Sequence, residues 1–284
     1  MSNEESARVL VSAEQLRQWR ESLGLEACAN ALLSMFQQSR SATHRAEAWD
    51  TLLELLTMED ENLSDSLLRQ WTNELLNSIT DTDPEVRCQG LSALANIAPY
   101  VRERADVIDS LVRCLYDESE AVRSQAISAA SVFSNRRLLV ALTKSLVSNN
   151  SHNPMSGDPD ERRLWHALFA LDSMVERLDL TLEERSGVAQ RVFDALLLII
   201  SEPFASDLDI WKIGESLGEF IKGSVALINL KKMMAHTDPR VRDSAVHGLS
   251  HLGGVEATEL IKHALCDPAT EVREEAQKAL LTTK

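Results

Sequence analysis

Three groups of residues have the types and spacing that chemistry would need. Gly214-Glu215-Ser216-Leu217-Gly218 fits G-x-S-x-G, the pattern that lifts a serine nucleophile on a strained turn, and Asp238 and His247 follow in the order a Ser-Asp-His esterase requires. That elbow needs a strand before it and a parallel sheet around it. No strand pattern surrounds this one, and its glycines keep phase with Gly90 in an earlier helix pattern, so they are expected to let two helices approach closely. His247 and His251 stand four residues apart, on one helix face with Asp243, a spacing that could hold a metal. No Glu completes H-E-x-x-H, and a solvated polar face is the expectation. Trp165, His166 and Phe169 fall where other segments place Cys88, Gln89 and Ser92, or Ser124, Gln125 and Ser128. If exposed they are anchors for a partner; if turned inward they are core. Phosphate-binding loops and an EF-hand loop are absent from the sequence. No catalytic residue, cofactor or metal ligand is assigned.

The elements that carry these residues repeat. Val241-Arg242, Ala245 and Leu249 recur 31 residues later as Val272-Arg273, Ala276 and Leu280, each set one stripe of a helix. The preceding segments agree at the same offset, Ala226, Leu230 and Met233 with Ala257, Ile261 and Ala264. The unit is therefore a pair of helices, and a unit this short buries its apolar stripes only by stacking on a neighbour.

Taken in order, the pattern predicts a terminal unit with helices over residues 12–38, interrupted near Gly24, and a stripe His44, Ala48, Leu52. Further units run over 63–94, 101–133 and 138–171, then three more to the C-terminus, about seven in all. Residues 148–160 are the clear linker, dividing N-terminal repeats 1–147 from C-terminal repeats 161–284 of one solenoid. Asp83-Pro84 and Asp238-Pro239 read as helix starts: Asp accepts from free first-turn amides, and Pro gives up an amide that had no partner. Asp267-Pro268 stands two residues farther from its arginine, which predicts a longer turn there.

The whole chain has formal charge −15, and 44% apolar against 5% aromatic residues suits a core of aliphatic side chains between close helices. Residues 1–230 carry 36 Asp+Glu against 21 Lys+Arg, and residues 231–284 carry 8 of each. A phosphate backbone would be repelled on average, so nucleic acid is disfavoured, while a basic protein partner would be attracted. The longest apolar run, Ala195 to Ile200, is too short to span a bilayer. Cys28, Cys88, Cys114 and Cys266 are unclustered and fall within helical patterns, as small buried groups in a reducing compartment would. A cytoplasmic protein without membrane attachment is expected.

The runs Asp83-Pro-Glu-Val-Arg87, Asp238-Pro-Arg-Val-Arg242 and Glu271-Val-Arg273 resemble HEAT repeats, and the 31-residue spacing is similar to the short variety in phycobilin-lyase-type repeat proteins. The resemblance implies an all-α fold, an α/α superhelix of the HEAT/armadillo kind. It implies a structural ladder pairing Asp83, Asp238 and Asp267 with Arg87, Arg123, Arg242 and Arg273. It also implies a non-catalytic scaffold whose concave face, lined by second helices, binds a protein. On that face the contact positions are Gln89, Ser92, Gln125, Ser128, Trp165, Phe169, Asp243 and His247. A lyase-type or other enzyme subunit on the same scaffold is the alternative.

Overall fold

The computed structural model describes residues 18, 21, 22, 24–38, 51, 65–133, 135–148, 163–201 and 207–282, and every regular element among them is a helix. The expected terminal stripe at His44, Ala48 and Leu52 and the linker at 148–160 lie outside the described residues, apart from Ser148 at a helix end. No described helix is long and apolar enough to cross a membrane. The chain divides into two compact units, Met1–Phe133 and Ser134–Lys284.

The first unit contains α1 (Leu25–Gln38), α2 (Asp65–Ser78), α3 (Pro84–Asn96), the single turn α4 (Ala98–Val101), α5 (Ala105–Cys114) and α6 (Glu120–Ser131). Gly24, at φ +82°, precedes α1, as a break there requires. α2 buries Leu67, Trp71 and Leu75 and packs on α3, which buries Val86, Gly90 and Leu94. α5 packs on α6, and the two second helices, α3 and α6, lie against each other. The stripe predicted for α6 is buried at Val122, Ala126 and Ala130.

The second unit contains α7 (Arg136–Ser148), α8 (Arg163–Arg177), α9 (Leu182–Ile199) and α10 (Asp207–Glu215). α10 continues through a wider π turn at Ser216–Ile221, and α11 (Gly223–Met234), α12 (Pro239–Leu252), α13 (Val255–Ala264) and α14 (Thr270–Thr282) follow. α9 starts with a reciprocal cap, Thr181 accepting from the Glu184 amide and Glu184 from the Thr181 amide. First helices α7, α9 and α11 pack in succession, and second helices α8, α10, α12 and α14 do the same. Within this unit the two kinds of helix thus form separate layers, the arrangement that buries both stripes of every hairpin.

Two of the arginines join turn to turn, Arg242 through the expected Asp267 and Arg87 through Asp117 in place of the expected Asp-Pro aspartates. Arg87 donates to the carbonyls of Asp81 and Thr82, six and five residues back, and to Asp117 of the next turn at 2.7 Å. Arg242 donates to the carbonyls of His236 and Thr237 and, with two nitrogens at 2.8 Å each, to Asp267. Arg123 and Arg273 make the same two carbonyl bonds to their own turns. Asp83 and Asp238 are helix caps, accepting from the amides of Glu85 and Arg240. The ladder acid sits two residues earlier, where Asp81, Asp117 and Asp267 each accept from the amide two residues on, and His236 does so through Nδ1. Asp267 therefore holds the ladder position and not the cap position, and its turn has the same length as the others. Cys266 is likewise an exposed turn residue, whereas burial pushes the Cys114 thiol up to about 11.

The glycines of the serine motif set a backbone-to-backbone helix contact in the second unit. A Cβ on Gly218 would lie 2.0 Å from the Gly248 carbonyl oxygen, and one on Gly248 would lie 2.3 Å from that of Gly214. The Gly214 amide donates to Ser244 Oγ at 3.1 Å, and that hydroxyl donates to the Ile210 carbonyl at 2.6 Å. α10 and α12 are thus pinned backbone to backbone. Gly248→Ala must push the two helices apart, and a loss of about 3 kcal/mol or more is expected in denaturant unfolding. Arg242→Met leaves Asp267 nearly buried and two carbonyls without their donor. A loss of about 2–4 kcal/mol is expected, read as a lowered melting temperature, with Arg242→Lys recovering only part of it because an ammonium lacks the fork.

Candidate functional site: the second-helix face of the C-terminal unit

α8 carries Trp165 and Phe169 one turn apart, their ring centroids 4.3 Å apart and edge-on. Phe169 is 43% exposed and Trp165 half-buried, so the pair is part surface and part lid. Under it lies Lys212 of α10, 1% exposed, with Nζ 4.1 Å from the Phe169 ring centroid. Lys212 pairs with Asp172 at 2.9 Å and Glu215 at 2.8 Å, and the Ser216 hydroxyl donates to Asp172 at 3.0 Å. Burial raises the Asp172 carboxyl to about 7, against the downward pull of Lys212 and Ser216. Burial pulls Lys212 down, but Asp172 and Glu215 outweigh it and the ammonium is held. The pair ties α8 to α10, and loss of either partner would leave the other's charge buried and uncompensated.

This geometry removes the esterase reading. Ser216 is wholly buried within a helical turn, its hydrogen-bond partner is Asp172, and Asp238 is engaged as a cap with Arg240. His247 is bound elsewhere. The two glycines do what their phase predicted and admit a neighbouring backbone.

The second cluster joins α10, the π turn, α12 and α14. The Trp211 ring lies over His247, centroids 4.1 Å apart and planes 32° from parallel. His247 Nδ1 is 3.0 Å from Glu275 Oε1, and His251 Nδ1 is 2.6 Å from Glu219 Oε2. The two Nε2 atoms are 3.1 Å apart. Asp243 is half-buried one turn before His247, and its carboxyl is raised to about 6, by burial first and then by the negative charge of Glu275. The face predicted to be simply solvated is a connected network. Trp211, Glu219 and Glu275 were not singled out in the sequence. Trp211 had a signal, because it stands where the repeat elsewhere places its ladder arginine.

The remaining predicted positions lie in the first unit. Gln89 and Ser92 on α3 and Gln125 on α6 are half-buried, and Ser128 on α6 is exposed. A cleft of about 420 Å³ in that unit is lined by Arg87, Arg113, Asp117 and Glu118; Arg87 pairs there with both acids, and Arg113 donates to Ser110. Among the described residues no group of three or more His, Cys, Asp or Glu is arranged to hold a metal.

A sequence profile of HEAT repeats matches residues 72–153. No curated protein sequence matches the chain. Solved structures share its fold. An engineered protein matches with a TM-score of 0.50 at 19% identity over 95% of this chain and 71% of its own. The karyopherin Kap121p bound to the SUMO protease Ulp1p gives 0.52 at 15% identity over 98% of this chain. The same karyopherin bound to the extreme C-terminus of the protein phosphatase Cdc14p gives 0.52 at 16%. This chain spans 36% of the karyopherin's length. The fold is thus of the HEAT-repeat α-solenoid class.

The raised Asp243 carboxyl makes stability depend on pH. Its folded value, about 6, lies above the unfolded value, so its contribution is present below the unfolded value and lost as pH rises through about 6. Asp243→Asn removes the charge that burial opposes. The variant should melt higher than the wild type at pH 8, by about 1 kcal/mol after discounting for its partial exposure, and the advantage should vanish by about pH 4.

Proposed function

We propose that this chain is a non-catalytic, cytoplasmic interaction scaffold that holds a basic segment of a partner protein against the second-helix face of its Ser134–Lys284 unit. The observation that carries this reading is the Trp211–His247 stack, with Glu219, Asp243 and Glu275 grouped around the histidines. An aromatic surface rimmed by carboxylates suits an Arg or Lys side chain, because ring faces attract cations and carboxylates accept their hydrogen bonds. Phe169, 43% exposed, offers a further apolar contact beside Trp165. The net charge of −15 speeds encounter with such a partner and opposes nucleic acid. Gln89, Ser92, Gln125 and Ser128 form a second, polar contact face in the Met1–Phe133 unit. The karyopherin bound to Ulp1p supports protein binding as one use of this fold, and fold alone selects no partner.

The test is fluorescence anisotropy with labelled peptides of equal length, rich in Arg and Lys or in Glu. Basic peptides should bind, with on-rates that fall steeply as salt is added. Phe169→Ala combined with Glu219→Lys should weaken that binding at least about tenfold, and Glu219→Lys alone should weaken it while leaving the melting temperature unchanged. Equal binding of acidic peptides, or binding indifferent to salt and to both substitutions, would overturn the reading.

A further inference from the structure

The two histidines of α12 are oriented from behind. Glu275 lies 3.0 Å from Nδ1 of His247, and Glu219 lies 2.6 Å from Nδ1 of His251. A carboxylate at that distance accepts from an N–H, so each pairing puts the ring hydrogen on Nδ1 and leaves Nε2 with its lone pair. The two Nε2 atoms then face each other across 3.1 Å. Two lone pairs at that separation repel unless they share an electrophile, which is either a proton or a metal ion.

We propose that His247 and His251 form a two-imidazole clasp for a borderline divalent transition-metal ion such as Cu²⁺, Ni²⁺ or Zn²⁺. Metal–nitrogen bonds of about 2.0–2.1 Å at angles of about 90–109° need the two nitrogens about 2.9–3.4 Å apart. The observed 3.1 Å lies inside that range. Carboxylates on the outer nitrogens are the partners that orient metal-bound histidines and make them more basic. The clasp is rigid, since both ligands project from one helix and the Trp211 ring packs on His247 at 4.1 Å. It is also open, because the His251 side chain is 32% exposed. Among the described residues no third His, Cys, Asp or Glu converges with this pair, so water completes the coordination. Lys278 neutralises one carboxylate, Glu275, at 3.0 Å, which leaves Glu219 and Asp243 to favour a divalent cation over a single shared proton.

The experiment is calorimetric titration of the full chain with Zn²⁺, Ni²⁺ and Cu²⁺ chlorides in a non-chelating buffer. One saturable site is expected, tightest for Cu²⁺. His251→Ala should abolish it without changing the melting temperature, and His263→Ala, on another helix, should leave it intact. Glu219→Gln should weaken it about 10–100-fold while both imidazoles remain. Absence of a saturable site in the wild type would overturn the proposal and leave a shared proton between the rings. Binding undiminished in both His251→Ala and His247→Ala would overturn it as well.

Discussion

An arginine at the head of four second helices, α3, α6, α12 and α14, closes the turn before it by binding two backbone carbonyls five and six residues back. Arg87, Arg123, Arg242 and Arg273 all do this, and the bonds hold a segment whose carbonyls have no helix to serve them. Where the next turn offers an aspartate, the same guanidinium crosses to it, so closing one turn also fixes its distance from the next. A planar fork has enough donors for both tasks at once, which an ammonium does not.

The second-helix face of the C-terminal unit follows from departures from that rule. Trp211 replaces the clamp residue in its repeat and is free to lie on His247. The helix bearing it approaches α12 backbone to backbone, because three glycines stand at the contact. Phe169 closes over a lysine that is buried with its counter-ions. The altered helices supply the aromatic rings, and the regular helices α12 and α14 bring the imidazoles and Glu275 against them.

Much of the architecture was legible in the chain. The small-then-aliphatic stripes at Val241, Ala245 and Leu249 and at Val86, Gly90 and Leu94 are buried where their spacing put them. The caps at Asp83 and Asp238 hold as expected. The glycines around Ser216 were recognised as contact residues by phase alone, which outweighed a catalytic motif matching them letter for letter. Asp267 was placed in the ladder correctly, but Asp83 and Asp238 were not, because Asp-Pro is so strong a start signal that it hid the position two residues earlier. His236 filling that position with a ring nitrogen could not be read from a rule written in aspartates.

The sequence by itself determined where helices begin, which stripe of each is apolar and where a side chain must be small. All of these depend on groups a few residues apart, through hydrogen bonds and sterics within one turn. Only the tertiary structure decided which aspartate meets Arg242, that His247 finds Glu275, and that Ser216 is sealed against Asp172. Those partners lie 25 to 44 residues away. Their meeting depends on the length and closure of the intervening turns, and no local spacing encodes it.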